Sequence, residues 1–110
     1  MLVENEQLVI KSLQECMIAC NHCMNECLAE EDVDMMLDCI YLDRECVEFC
    51  GYLEQSIMRK SSYSKDLAKL CISVCEACAE ECKKHQHKHC QYCAEVCIDC
   101  IEKCKTYLEI

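Results

Sequence analysis

This 110-residue chain has no proline, no tryptophan, one phenylalanine and one glycine. Tight turns between strands rely on glycine for positive φ and on proline for a preset φ. Their near absence excludes a sandwich or barrel of short strands. Glu, Lys, Leu, Ala, Met and Gln dominate instead, and these residues lose little side-chain freedom in a helix. An all-α chain is therefore expected. Also missing is any apolar run of about 18 residues, the length a membrane-spanning helix needs. The opening "MLVENEQLVIKSLQ" has early acids and no small-residue cleavage site, so it does not read as a signal peptide. Lys and Arg number 11 against 21 Asp and Glu, a formal net charge of −10. That charge opposes nucleic acid and anionic lipid, which need basic patches. These absences predict a cytoplasmic protein with neither a nucleic-acid nor a membrane partner.

Cysteine is the abundant exception, at 16 residues. In a small secreted chain such a density marks a disulfide scaffold. Without an export signal, a reducing compartment is expected and the thiols stay free. Geometry agrees, because Cβ atoms four residues apart on a helix are about 5–6 Å apart. A disulfide holds them at about 3.8 Å. A pair too wide for a disulfide can still hold a metal ion between its sulfurs.

Helical periodicity divides the chain into segments of about 4–29, 32–58, 63–84 and 86–108, forming one domain over 1–110. The breaks are "AEED", "RKSSYS" and "KKHQHK". Asp32 or Asp34 is expected to cap the second segment, and Ser62 or Ser64 the third. Long helices with short links favour an antiparallel up-down four-helix bundle. The halves look duplicated. A shift of 55 residues lays Cys16, Cys20, Cys23 and Cys27 on Cys71, Cys75, Cys78 and Cys82. A shift of 54 lays Cys39, Cys46 and Cys50 on Cys93, Cys100 and Cys104, with Asp43 opposite Cys97 and Met36 opposite Cys90. A helical hairpin copied once explains both registers.

At 100° per residue each helix collects its cysteines on one stripe. The stripes read Val9, Leu13, Cys16, Cys20, Cys23, Cys27; then Cys39, Asp43, Cys46, Cys50, Leu53, Ile57; then Leu67, Cys71, Cys75, Cys78, Cys82; and finally Cys90, Cys93, Cys97, Cys100, Cys104, Leu108. Four facing stripes predict a bundle with a cysteine-lined core. Cysteine can act as a small buried hydrophobe, but sixteen confined to these stripes point to soft-metal chemistry. Thiolates select Cu(I), Zn(II) or iron–sulfur clusters. A zinc site with four thiolates carries a charge of −2, so four such sites would bury roughly −8 with no Lys or Arg on the stripes to offset it. Cu(I) is monovalent, and at one ion per bridging thiolate the core is neutral. Seven CxxxC pairs lie within helices (16/20, 23/27, 46/50, 71/75, 78/82, 93/97 and 100/104), which leaves Cys39 and Cys90 outside the pairs. The CxxC knuckle of structural zinc sites is the less suitable comparison.

On these residues the chain resembles the cytosolic branch of the bacterial copper storage proteins. Those are four-helix bundles whose cores are filled with cysteine-bound Cu(I). The resemblance spans nearly the whole chain through the CxxxC-bearing helices. It implies cytosolic storage of many Cu(I) ions by all sixteen cysteines, and a tetramer of bundles. The second helix departs from the pattern, with three cysteines and Asp43 on the thiol face.

Further candidates surround the stripes. Met35 and Met36 lie near Cys39 as thioether ligands, although Met also serves as flexible core filler. His85 continues the third stripe past Cys82, and His89 adjoins Cys90, so each is a candidate ligand or a surface histidine. His22 points away from the stripe. Asp43 reads as a hydrogen-bonding partner, a rare ligand or a tolerated polar gap. The up-down topology brings Cys27, Met35, Met36, Cys39, Cys82, His85, His89 and Cys90 to one mouth, through which copper is expected to enter. The other end, with Val9, Leu13, Leu53, Ile57, Leu67 and Leu108, is expected to be a dry plug. Ile10, Ile18, Val33, Leu37, Ile40, Val74, Val96, Ile98 and Ile101 lie off the stripes, which predicts a homo-oligomer. No His/carboxylate set converges on an open ligand position, so no catalytic residue is assigned and an enzyme is not expected. Two rival readings are a metallothionein-like zinc buffer and a disulfide-stapled helical adaptor.

Overall fold

The computed structural model describes residues 1–110. Four helices form it: α1 (Glu4–Leu28), α2 (Leu37–Met58), α3 (Ser64–Lys83) and α4 (Lys88–Leu108), with one 3₁₀ turn, Val33–Met36, ahead of α2. The molecule is a rod of 46 × 18 × 18 Å. α1 packs on α2 and α4, and α3 packs on the same two, while the diagonal pairs make no close backbone approach. A square of helices leaves an axial channel that side chains must fill.

The helix ends follow local chemistry only in part. At the start of α1, Glu6 Oε1 accepts the Val3 N–H at 2.9 Å, and acids at Glu4 and Glu6 suit the positive end of the helix dipole. The end of α2 is a Schellman turn. The Lys60 N–H bonds Ile57 O at 3.0 Å and the Ser61 N–H bonds Ser56 O at 2.9 Å. Lys60 sits at φ 57°, where glycine is the usual residue, and its Nζ meets Glu6 Oε1 at 2.6 Å. The chain's one glycine, Gly51, lies inside α2 instead.

Several expectations about ends are corrected. The second segment is not continuous from 32, because Met36 at φ −100°, ψ 0° breaks the helical path and α2 begins at Leu37. Neither Asp32 nor Asp34 caps α2, and no side-chain cap precedes α3, whose N-cap position is Tyr63. Ser64 is buried, and its Oγ lies 2.9 Å from Ser56 Oγ, which donates to Leu53 O at the same distance. These two small residues sit where α2 and α3 come together at their shared turn. A hydroxyl used between helices is not free to cap one.

The core is nearly all sulfur and aliphatic carbon. All sixteen cysteines have no exposed surface. At the end remote from the α1–α2 and α3–α4 links, Val9, Leu13, Leu53 and Ile57 close the channel. Leu67 and Leu108, expected on the stripes, are only half-buried. Ala68 and Tyr107 take their places, one residue later on α3 and one earlier on α4. Both are buried, and Lys65 Nζ lies 4.5 Å over the Tyr107 ring. Of the off-stripe residues, Ile10 and Ile101 are covered within the chain, while Ile18, Leu37 and Ile98 remain exposed.

Aliphatic plug and thiols both pack the channel, so the metal-free protein is expected to be folded. In reductant and chelator its circular dichroism should be helical, and Leu53→Ala should lower the unfolding free energy in urea by about 2–5 kcal/mol. A metal-free chain without helical signal would instead tie folding to metal.

Candidate metal centre

Each helix contributes its thiols at steps of three and four, so successive sulfurs climb one face. Facing stripes then bring sulfurs from different helices into contact. Cys39 and Cys82 lie 3.4 Å apart across α2 and α3, as do Cys46 and Cys75. α1 meets α4 through Cys20 and Cys93 at 3.7 Å and Cys20 and Cys97 at 3.8 Å. Cys16 lies 3.7 Å from Cys46 and 3.9 Å from Cys97. Cys50 and Cys71 approach to 3.7 Å. Sulfurs sharing one ion at about 2.3 Å are roughly 3.8–4.0 Å apart, so the channel is already near ligand spacing.

The sulfur groups overlap. Cys16, Cys46, Cys50 and Cys75 have ligand atoms within 4.8 Å of one another, and so do Cys16, Cys20, Cys46 and Cys97. Cys20 and Cys97 recur with Cys78 and Cys93. Nearer the α1–α2 link, Cys23, Cys27, Cys39 and Cys90 form a group, and Cys23 and Cys39 recur with Asp43 and Cys82. Neighbouring groups share sulfurs within two runs, one through Cys16, Cys20, Cys46 and Cys97 and one through Cys23 and Cys39. Asp43 of the second run touches Cys78 and Cys93 of the first, so the arrangement is a ladder and not a row of separate four-ligand sites. The buried polar residues are Ser12, Asp43, Ser56 and Ser64, so no cation lies inside to balance charge. Burial, followed by the charge of Cys39, pushes the Cys90 thiol up to about 12. Without metal, the Cys90 thiol therefore stays protonated at pH 7.

Asp43 interrupts the ladder on α2 and is fully buried. Its Oδ1 accepts from Cys78 at 3.3 Å, Cys93 at 3.4 Å and Cys82 at 3.8 Å, and its Oδ2 accepts from Cys39 at 3.9 Å. Burial, then the thiol charges of Cys93 and Cys39, raise its pKa to about 9. The side chain is therefore a neutral acid at pH 7, within reach of four sulfurs. These four contacts are those of a hydrogen-bonding partner.

The mouth differs in detail from the expected one. Met36 is fully buried, whereas Met35 is 72% exposed; the 3₁₀ turn rotates one inward and the other out. The His89 Nδ1 lies 3.5 Å from both Cys23 and Cys90 and 3.9 Å from Cys27. His85 turns instead to Glu81, with Nε2 2.9 Å from Oε2. Outside His89 is a surface hollow of about 420 Å³ lined by His22, Glu26, Lys88, His89 and Tyr92. The His89 ring thus stands between solvent and the first thiols. His87 was not among the sequence candidates, yet it stacks on His89 with centroids 5.2 Å apart and planes within 7°. The alternation in "HQHKH" was the available signal, since His87 lies in the link before α4 and has no helical stripe to follow.

Comparison with known proteins agrees with this geometry. The family model of copper storage proteins matches residues 2–109. The uncharacterized cysteine-rich protein YhjQ of Bacillus subtilis (strain 168) is 43% identical over 82 residues, covering 74% of this chain and 76% of that protein. The structure of the Cu(I)-bound copper storage protein BsCsp3 superposes with a TM-score of 0.91 at 39% identity, covering 96% of this chain and 99% of that one. A cytosolic copper storage protein from Streptomyces lividans, in a structure of copper loading with five coppers, gives a TM-score of 0.93 at 31% identity, covering 97% and 94%. With its four cysteine-lined helices, the chain belongs to the copper storage protein family.

Proposed function

We propose that this protein sequesters many Cu(I) ions in the cytoplasm, with all sixteen cysteines as ligands along the axis of one four-helix bundle spanning residues 1–110. The observation that carries this reading is the sharing of sulfurs between adjacent groups. A shared sulfur is a bridging ligand, and Cu(I) accepts two or three soft thiolates at a cost of one positive charge per ion. A ladder of bridged Cu(I) can then neutralise a core with no internal cation. Closed tetrahedral Zn(II) sites would each leave the channel negative.

Asp43 contributes a carboxyl beside Cys39, Cys78, Cys82 and Cys93, as a hydrogen-bond acceptor in the metal-free state and a ligand in the loaded one. Met36 and His89 serve the mouth. Neutral thioether and imidazole hold Cu(I) less tightly than thiolate, so ions captured there move on to the sulfur ladder. Met35 and His85 lie outside this path. The protein acts by storage and not by catalysis. Exposed Ile18, Leu37, Tyr41, Leu70, Tyr92 and Ile98 favour assembly with further copies, as a tetramer of bundles.

Titration of reduced protein with Cu(I), followed by native mass spectrometry, tests the capacity. With two ions per thiolate and two thiolates per ion, saturation is expected on the order of 16 Cu(I) per chain. Cys46→Ser with Cys50→Ser should remove a few ions and leave the rest. Saturation at about four ions, or equal competition by Zn(II), would refute the reading.

Asp43 gives a pH dependence with a definite sign. Its carboxyl titrates near 9 when folded, against a reference of 3.8. Between those values the unfolded chain has lost the proton and the folded chain keeps it. Stability of the metal-free protein should therefore fall as pH rises from about 4 to about 9. Urea midpoints at pH 5 and pH 8 read the slope, and Asp43→Asn should flatten it.

The mouth is tested by rate. Met36→Leu combined with His89→Ala should slow copper transfer from a Cu(I) chelator while final loading stays close to that of the parent. An unchanged rate, or faster loading when Leu13→Ala and Leu53→Ala open the aliphatic end, would place the entrance elsewhere.

A further inference from the structure

His89 faces two chemistries at once. Its Nδ1 is directed at Cys23 and Cys90, both at 3.5 Å, and its Nε2 at Glu30 Oε1, at 3.4 Å. A carboxylate has no hydrogen to give, so the ring nitrogen that faces it carries the proton. In a neutral imidazole the other nitrogen then holds the free lone pair. Here that nitrogen is Nδ1, pointed at the first sulfurs of the ladder. The opposite tautomer is a real competitor, because three sulfurs can accept from an Nδ1–H. In that state no lone pair would face the channel and the ring could not take a metal ion there.

We propose that Glu30 is a positioning residue for copper entry, holding His89 as the Nε2–H tautomer with Nδ1 open toward Cys23 and Cys90; the proposal rests on the mouth reading above. Three features of the structure support it. Glu30 follows the C-cap of α1, and its backbone N–H bonds Cys27 O at 3.2 Å, which ties it to a mouth thiol's own helix. Its second oxygen, Oε2, lies 3.4 Å from His87 Nδ1, and His87 Nε2 lies 3.4 Å from Asp32 Oδ1. The His87 ring is stacked flat on His89. Glu30 and His87 therefore fix the His89 ring from its edge and its face. A carboxylate behind a metal-ligating imidazole is the usual device for setting tautomer and raising ligand strength. At 3.4 Å the contact is longer than a strong hydrogen bond. It tightens when Nδ1 takes a cation, because ligation makes the Nε2–H more acidic. His85, in the link after α3, also turns its Nε2 to a carboxylate, Glu81 Oε2 at 2.9 Å, but it lies outside the copper path.

The test has a spectroscopic arm and a kinetic arm. Nitrogen NMR of histidine-labelled, reduced, metal-free protein should show His89 in the parent with Nε2 protonated and Nδ1 bare. Glu30→Ala should move population to the Nδ1–H form, while Glu30→Gln, whose amide oxygen still accepts from Nε2–H, should keep the parent pattern. Transfer from a Cu(I) chelator should slow about 10-fold in Glu30→Ala and recover in Glu30→Gln. Glu30→Ala combined with His89→Ala should load no more slowly than His89→Ala alone. Helical circular dichroism confirms that each variant is folded. An unchanged tautomer in Glu30→Ala, or further slowing in the double variant, overturns the proposal. If His89→Ala itself loads at the parent rate, the mouth reading fails instead, and the tautomer measurement still decides the role of Glu30.

Discussion

Thiolate charge inside a dry channel is the constraint on which the rest of this structure depends. Sixteen sulfurs are closed off from water, many of them 3.4–4.0 Å from another sulfur, with no Lys or Arg among them. A bare thiolate there is costly where nothing offsets it, and burial holds the Cys90 thiol in its protonated form without metal. With metal, each negative sulfur must be balanced close by. A monovalent ion shared between two sulfurs meets that requirement along the whole ladder, and overlapping groups such as those sharing Cys16 and Cys46 supply the bridges.

The same constraint accounts for Asp43. A carboxylate in this channel would add charge that nothing offsets, and its raised pKa keeps it an acid instead. As an acid it fits among Cys39, Cys78, Cys82 and Cys93 and fills a position where another thiol would have continued the stripe. The ladder therefore has one harder group partway along it, between the mouth sulfurs and the deeper ones.

Chemistry also separates the two ends. Val9, Leu13, Leu53 and Ile57 offer an ion no ligand, and they give the metal-free bundle a conventional aliphatic base. The other end has softer closure, with the Met36 side chain buried in the core and the His89 imidazole over Cys23, Cys27 and Cys90. Around it lie Glu30, Asp32 and His87, which are polar enough to remain hydrated. One end is closed by aliphatic carbon, and the other carries a thioether and an imidazole.

How much of this was legible in the sequence depends on the range of the physics involved. Helical spacing is a local property, so residues 16, 20, 23 and 27, and their copies at 71, 75, 78 and 82, determined by themselves the stripes, the bundle and the soft-metal core. Missing proline and a single glycine determined the all-α class. Short-range rules failed where a neighbour overrode them. Ser64 joins Ser56 and does not cap α3. Ala68 and Tyr107 replace Leu67 and Leu108, because steps of three and of four from Cys71 and Cys104 both stay on the stripe and periodicity alone does not choose between them. The register of the 3₁₀ turn put Met36 inside and Met35 outside, a choice that hydropathy does not distinguish. Only the tertiary structure decided which nitrogen of His89 meets sulfur and which meets Glu30, because that choice is made between α1 and α4, some 60 residues apart in the chain. Periodicity reports what one helix presents; contact between helices decides what each side chain then does.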